Sequence, residues 1–150
     1  IYDAPCGDFN WMKKVDLTNV EYSGGDIVVD IIEDNKKSYP EYKFTVCDIT
    51  TDVIPKVDLI FTRDCLVHLN NEKIKKCIEN IKRSGSKYFL TTSFESKGNV
   101  DIVDGDWRPI NLRQTPFNLT NPIGVIDEKC MESYPNYKDK VMLLYKVEDL

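Results

Sequence analysis

The chain has 150 residues, 41% of them hydrophobic and 30% charged, values typical of one globular domain with its own core. Its net charge of −5 excludes an overall basic field for gripping nucleic acid or an anionic membrane. No apolar run approaches the roughly 18 residues of a membrane span. Five scattered cysteines without a C-x-x-C pair argue against disulfides and zinc. We therefore expect reduced thiols, no metal and a cytoplasmic location.

Strand-like and helix-like stretches alternate along the chain. Apolar runs predict strands at residues 1–4, 21–25, 42–47, 57–62, 88–92 and 141–147. Helices are predicted at residues 27–39 and 72–83, and another helix is expected to begin within residues 10–15. Residues 93–121 are predicted to be irregular. This alternation is typical of βαβ units and predicts an α/β domain, with an open, mostly parallel sheet and helices on both faces.

The predicted helix at residues 27–39 has a recognisable apolar face. At helical spacing, Ile27, Ile31 and Asn35 lie on the same face as Val28 and Ile32.

A short polar turn, DAPCGDF at residues 3–9, follows the first predicted strand. Ligands of open α/β sheets bind at the carboxyl ends of strands, where a glycine turn brings backbone N–H groups close to them. Gly7 is the only glycine of the turn, and the dinucleotide pattern G-x-G-x-x-G has three. The two carboxylates of the turn, Asp3 and Asp8, suit an adenosine ligand with an ammonium group better than they suit a pyrophosphate. The alternative is a capped turn that merely starts a helix.

An acid follows or ends each of the first four predicted strands. These acids are Asp3, Asp26, Asp48 and Asp64. Asp26 lies 23 residues after Asp3, close to the offset of about 20 residues for a ribose-binding acid in nucleotide folds. Any single one of them is readily explained as a helix cap or a solvated loop acid. The set of four predicts a nucleoside site at one edge of the sheet.

Four segments, taken in order, resemble the motifs of class I S-adenosylmethionine-dependent methyltransferases: residues 3–9 (DAPCGDF), 26–27 (DI), 47–49 (CDI) and 63–69 (RDCLVHL). The resemblance extends from residue 1 to about residue 92. It implies a single Rossmann-like domain over residues 1–150 with an antiparallel C-terminal strand, and the missing initiator methionine leaves open a lost N-terminal helix. Pro5 and Phe9 occupy the first and third glycine positions of the family's G-x-G-x-G run.

The resemblance also implies S-adenosyl-L-methionine (SAM) as the cofactor. The residues expected to bind it are Asp3, Ala4 and Gly7 for the methionine part, Asp26 and Ile27 for the ribose, Asp48 and Ile49 for the adenine, and Arg63 after the fourth strand.

Methyl transfer to a hydroxyl is helped by a general base. His68 is the only histidine and is one candidate base; Asp64 is the other. Arg63 could hold an anionic group of the acceptor or simply pair with Asp64. Within residues 99–119, a candidate substrate lid, Trp107 and Arg108 are expected to contact the acceptor, although the aromatic residues there could instead pin the segment to the sheet.

The leading hypothesis is a SAM-dependent methyltransferase acting on a small-molecule acceptor through a hydroxyl, a sugar or an anionic oxygen. The acidic composition and the absence of an N-P-P-Y or D-P-P-Y run after the fourth strand argue against nucleic acid as substrate. Two alternatives remain: a catalytically degenerate methyltransferase-fold binding subunit, and a nucleotide-binding oxidoreductase, against which the missing glycines argue. The sequence does not indicate the acceptor or the oligomeric state.

Overall fold

A computed structural model describes residues 1–133 and 135–150. Its strands are β1 Tyr2–Asp3, β2 Ser23–Asp26, β3 Lys43–Val46, β4 Leu59–Thr62, β5 Tyr88–Phe94, β6 Gly124–Asp127 and β7 Lys140–Lys146. They form one sheet in the order β3-β2-β1-β4-β5-β7-β6. The first five are parallel, and β7 is antiparallel to both of its neighbours. The strand order reverses between β1 and β4, which is where open α/β sheets leave a crevice for ligands.

Helices cover both faces of this sheet. Helix α1, Val29–Ser38, places Ile32 in a cluster with Phe9 and Phe44 on one face. Helix α2, Asn71–Ser84, places Ile74 and its apolar neighbours in a larger cluster on the other face. The predicted α/β architecture and the antiparallel C-terminal strand are therefore confirmed. Among the described residues, no helix is both long enough and apolar enough to cross a membrane.

The second predicted helix matches the structure closely. The Asn70 side chain accepts a hydrogen bond from the Lys73 N–H at the start of α2, and Gly85 ends the helix at φ 64°. These are ordinary N-cap and left-handed C-cap signals, and both are visible in the sequence.

Two sequence predictions were wrong in detail, and one strand was missed. Residues 10–15 contribute only the 3₁₀ turn Met12–Lys14, because their apolar residues do not continue at helical spacing. The helix predicted from residue 27 begins at Val29, since the Asp26 carboxylate accepts the Val28 N–H and forms a turn there; Ile27 and Val28 are exposed. Strand β6 was not predicted, because a four-residue edge strand with three exposed residues has no clear alternation.

Two glycines in β2 allow side chains to lie directly on the strand. A Cβ on Gly24 would come within 2.8 Å of the Cys6 Cβ and 2.9 Å of the Phe44 ring. A Cβ on Gly25 would overlap the Tyr2 hydroxyl, and Tyr2 is buried. Because Tyr2 is a stiff ring in a packed core, it cannot easily move aside.

We expect Gly25→Ala to lower the free energy of unfolding by about 1–3 kcal/mol, the usual cost of overpacking a core. Urea denaturation measures this difference. Gly98→Ala is the matched control, because a Cβ there meets nothing within 4 Å, and its effect should stay within about 0.5 kcal/mol. Equal stability of the two variants would contradict the packing assigned to Tyr2.

Candidate functional site

The turn after β1 is fixed by hydrogen bonds from two neighbouring elements, and the space next to its glycine is open. Gly7 adopts φ 54°, and its N–H donates to Asp26 Oδ2 at 3.0 Å. From α1, the buried Asn35 side chain donates through Nδ2 to the Gly7 carbonyl at 2.7 Å. A Cβ built on Gly7 would meet no heavy atom within 4 Å. The turn therefore presents an open backbone edge directly beside a carboxylate.

Phe9 occupies the position where the resembled motif has its third glycine. It adopts φ 58°, a left-handed conformation that is uncommon for a bulky residue, and is 1% exposed. Four rings surround its own at centroid distances of 4.9 to 5.5 Å: Tyr22, Tyr39, Tyr42 and Phe44. The side chain thus fills the core under α1 and leaves the turn unblocked.

Two carboxylates lie together at the ends of β1 and β2. Asp3 is 1% exposed and accepts the Tyr22 hydroxyl at 2.8 Å. Burial raises the pKa of Asp3 to about 7, and the negative charge of Asp26 adds to this effect, whereas the Tyr22 hydrogen bond opposes it. Each oxygen of Asp26 accepts one backbone N–H, from Gly7 and Val28. We call this group of residues, Asp3, Asp26 and Gly7, the acidic pocket; the pKa of Asp3, its more buried carboxyl, lies near neutrality.

The third strand-end acid lies near this pocket. Burial raises the pKa of the Cys65 thiol to about 12, and the charges of Asp26 and Asp48 contribute to that shift. Cys65, just beyond β4, therefore lies within reach of both carboxylates. Asp48 Oδ1 accepts the Thr50 N–H and hydroxyl. Ile49 packs into the core.

The fourth acid and Arg63 lie in a separate charge network. Asp64 accepts Lys140 Nζ at 2.7 Å, and that ammonium group is also 3.2 Å from Glu128. Arg63 Nε donates to Glu128 at 2.7 Å, and its guanidinium carbon lies 5.6 Å from the centroid of the Trp11 ring. Arg63 and Asp64 are therefore tied to residues from the C-terminal hairpin.

His68 is exposed and contacts the segment that follows β5. Its Nδ1 lies 3.0 Å from the Asp106 carbonyl oxygen, and its own carbonyl accepts the Gly105 N–H. Because a carbonyl can only accept, Nδ1 carries the proton of this hydrogen bond. A neutral imidazole then has its lone pair on Nε2, which is the state required of a base.

Arg108 fastens that segment to the connection between β4 and α2. Its side chain is buried and donates to the carbonyls of Val100, Leu66 and Val67 and to Asn71 Oδ1. These contacts give Arg108 an anchoring role among backbone carbonyls. Trp107 remains 42% exposed, with its ring against those of Phe94 and Tyr137.

Sequence reasoning missed several residues of these two groups. Asn35 is a polar residue on an otherwise apolar helical face, a visible signal that was not followed. Lys140 is the first residue of an apolar strand, and a lysine at a strand end is usually exposed, so the sequence did not indicate that its side chain is buried. Tyr22 and Glu128 give no sequence signal, because their roles depend on contacts between distant elements.

A cavity of about 890 Å³ lies beside β1–β3 and residues 52–58, with Tyr2, Lys43 and Val53 among its lining residues. None of the four strand-end acids lines it. The candidate site is therefore defined by the convergence of side chains at the strand ends.

A parallel sheet of this order with β7 antiparallel between β5 and β6 has the Rossmann-like fold of class I SAM-dependent methyltransferases. The chain is similar to a SAM-dependent methyltransferase of Clostridium acetobutylicum, with a TM-score of 0.68 and 14% identity over 97% of this chain and 82% of that one. It is also similar to a TehB-like SAM-dependent methyltransferase of Corynebacterium glutamicum, with a TM-score of 0.64 and 16% identity over 95% of this chain and 77% of that one.

Human N-acetylserotonin methyltransferase, solved in complex with SAM, has a TM-score of 0.69 and 13% identity. The match covers 97% of this chain and 46% of the human one, so the chain spans about half the length of that enzyme. No protein-family model matches the sequence, and no curated protein matches it. At these identities the similarity shows a shared fold.

Asp3 should make the stability of the protein depend on pH. Its pKa is about 7 in the folded chain and 3.8 ordinarily, so its stabilising contribution is complete below pH 4 and is lost as the pH rises through 7. The contribution of Asp3 falls by about 1.36 kcal/mol per pH unit between pH 5 and its pKa, so Asp3→Asn should reduce the loss of unfolding free energy between pH 5 and pH 8 by about 2.6 kcal/mol. Urea titrations at the two pH values measure this fall. Asp30→Asn, an exposed position in α1, is the control, and identical pH slopes for Asp3→Asn and the parent chain would contradict the assignment.

Proposed function

We propose that this chain binds SAM at the carboxyl ends of β1–β4 and transfers its methyl group to an oxygen of a small-molecule acceptor. One observation carries the proposal: a left-handed glycine with open space above it lies against the Asp26 carboxylate, and the buried Asp3 lies behind them. This arrangement suits a ligand that has both hydroxyl groups and a positive charge.

The pocket fits the cofactor in three respects. Asp26 uses one acceptor position on each oxygen for backbone N–H groups, and since each oxygen has two, it can still accept both ribose hydroxyls. Asp3 lacks a cationic partner among the described residues, and an ammonium group would stabilise its ionised form. The open space at Gly7 admits the methionine part of the ligand, and the buried Ala4 supports the turn from below. In this assignment Asp48 and Ile49 border the adenine, and the exposed Ile27 covers the ribose.

When bound, SAM supplies an electrophilic methyl group on a sulfonium sulfur. The chain must then align the acceptor oxygen with that methyl group and receive a proton if the acceptor is a hydroxyl. His68 Nε2 is the proposed proton acceptor, because the Asp106 carbonyl holds the ring through Nδ1. Asp64 is the weaker candidate, since its carboxylate is already paired with Lys140.

We assign the acceptor side of the site to Arg63, Asp64 and Trp107. Trp107 is 42% exposed, and its neighbour in the chain, Arg108, positions the segment without needing to touch the acceptor. The reaction needs a small-molecule partner, and the proposed location is the cytoplasm, in keeping with five free cysteine thiols.

The alternative is a catalytically degenerate binding subunit with the same fold. Pro5 and Phe9 in place of two motif glycines favour it. Calorimetry with SAM, S-adenosylhomocysteine (SAH) and NAD, followed by turnover assays on a metabolite panel, separates the two. Tight binding of SAM and SAH without any turnover would favour the binding subunit. Preferential binding of NAD would contradict both the methyltransferase and the binding-subunit hypotheses.

Asp26→Ala should weaken SAH binding by about 1.5–3 kcal/mol, the scale of hydrogen bonds to a charged group. Isothermal titration calorimetry measures the change. Asp30→Ala, at an exposed acid in the first turn of α1, is the matched control and should bind as the parent chain does. An Asp26→Ala protein that is folded and binds SAH normally would remove the ribose assignment.

His68→Asn should lower kcat about 10²–10⁴-fold, the usual contribution of a general base, and should leave SAH affinity unchanged. Steady-state kinetics at a fixed pH and SAH calorimetry test the two points, with Asp64→Asn as the comparison. Full kcat in His68→Asn would pass the role to Asp64 or to an acceptor that needs no base.

A further inference from the structure

A second polar group lies next to the acidic pocket. It consists of Trp11, Arg63, Asp64, Glu128 and Lys140, and we call it the Trp11 cluster. Trp11 comes two residues after the glycine turn, and its ring lies 5.6 Å from that of Phe61 on β4. Since β1 and β4 are neighbours in the sheet, the cluster adjoins the turn on the side away from β2.

The cluster is electrically balanced. Arg63 and Lys140 are its two cations, and Asp64 and Glu128 are its two anions. Lys140 Nζ, whose side chain is 7% exposed, lies between the two carboxylates at 2.7 and 3.2 Å. An anionic ligand at the open side would lie close to Asp64 and Glu128 as well as to Arg63, and a cationic ligand would lie close to Arg63 and Lys140 as well as to Asp64. Because the charges of the cluster sum to zero, neither kind of ligand gains a net electrostatic attraction, and its own charge would lose water on binding.

The cluster still has unused hydrogen-bonding groups on its open side. Arg63 and Asp64 side chains are 37% and 39% exposed. Among the described residues, no protein group hydrogen-bonds to Arg63 Nη2 or Asp64 Oδ1. A donor and an acceptor are thus available next to each other, and beside them the Trp11 side chain is 43% exposed.

We propose that the Trp11 cluster binds a neutral polyhydroxylated ring, a sugar without ionised groups, as the methyl acceptor. This inference rests on the proposed methyl transfer and narrows its acceptor class. One ring hydroxyl donates to Asp64 Oδ1, and its neighbour accepts from Arg63 Nη2. The apolar C–H face of the ring packs on the Trp11 indole. Glu128 and Lys140 act as positioning residues that hold Arg63 and Asp64 in place.

The reaction balances with this acceptor. The hydroxyl oxygen bonds to the methyl carbon as the carbon–sulfur bond breaks, the electron pair of that bond stays on sulfur, and the hydroxyl proton passes to His68 Nε2. The products are a methyl ether, SAH and a proton released from the imidazolium.

The test uses three neutral hexoses, each with two charged analogues of the same ring. D-Glucose, D-galactose and D-mannose are titrated into the SAH-saturated protein beside their uronates and their 2-amino sugars. Isothermal titration calorimetry first establishes that each protein binds SAH and then follows binding of the sugars, so that Trp11→Ala is measured in the same way as the parent chain.

At least one neutral hexose should bind tenfold or more tightly than its uronate and its amino sugar. Its affinity should fall at least tenfold in Trp11→Ala and in Asp64→Asn, a substitution that keeps the size of the side chain and tolerates the left-handed φ of 53°. Tyr88→Ala, a similarly exposed aromatic at the start of β5, should change it less than twofold.

Tighter binding of a uronate or an amino sugar would overturn the inference, as would normal hexose binding by Trp11→Ala and Asp64→Asn. Absence of any ring binding by a protein that binds SAH would overturn the inference and leave the proposed function intact. Failure of the parent chain to bind SAH would overturn the proposed function together with the inference.

Discussion

The hydrogen bond from the Gly7 N–H to the Asp26 carboxylate is the contact on which the candidate site depends. It joins the turn after β1 to the end of β2, and the left-handed Gly7 is what points its N–H toward the acid. The Asn35 amide donates to the carbonyl oxygen of the same residue, which belongs to the following peptide group. These two hydrogen bonds restrain the one residue of the turn whose backbone is conformationally free.

The restraints come from different elements, and this explains how the turn tolerates an altered motif. Phe9 places its large side chain among four aromatic rings under α1, so the core gains packing where a flexible glycine would otherwise lie. Gly7 alone then needs to leave space above the backbone. The shape of the site therefore depends on packing beneath the turn as much as on the turn itself.

Much of the fold could be predicted because its signals are local. Strand runs, the apolar face of residues 72–83 and Gly85 each depend on a few neighbouring residues, and they located β1–β5, β7 and α2. The class of fold followed from the order of those elements. The 3₁₀ turn at residue 12, the late start of α1 and the short edge strand β6 depend on only one to four residues each, too few to give a clear period, and these were missed or misplaced.

The candidate site was predictable only where the chain itself places residues at strand ends. That rule brought Asp3, Asp26 and Asp48 into one region, and the structure places them near one another through Gly7 and Cys65. Asp64 followed the same rule yet joins Lys140 from β7, 76 residues away. Pairings over such separations leave no periodic trace in a single sequence, and Tyr22 and Glu128 escaped notice for the same reason.

The anchoring of Arg108 bears on how a protein with this architecture can change its substrate. The guanidinium ties the segment after β5 to the same short turn that carries His68, so insertions between residues 99 and 108 would disturb the imidazole as well. Tyr137, in the hairpin end that also supplies Glu128 and Lys140, packs against Trp107 and so contacts the same segment. Under the proposed function, variation at Glu128 and Lys140 would alter the groups that hold Arg63 and Asp64, whereas variation at Arg108 would alter the support of the imidazole, so recognition of the acceptor and transfer of its proton could evolve separately.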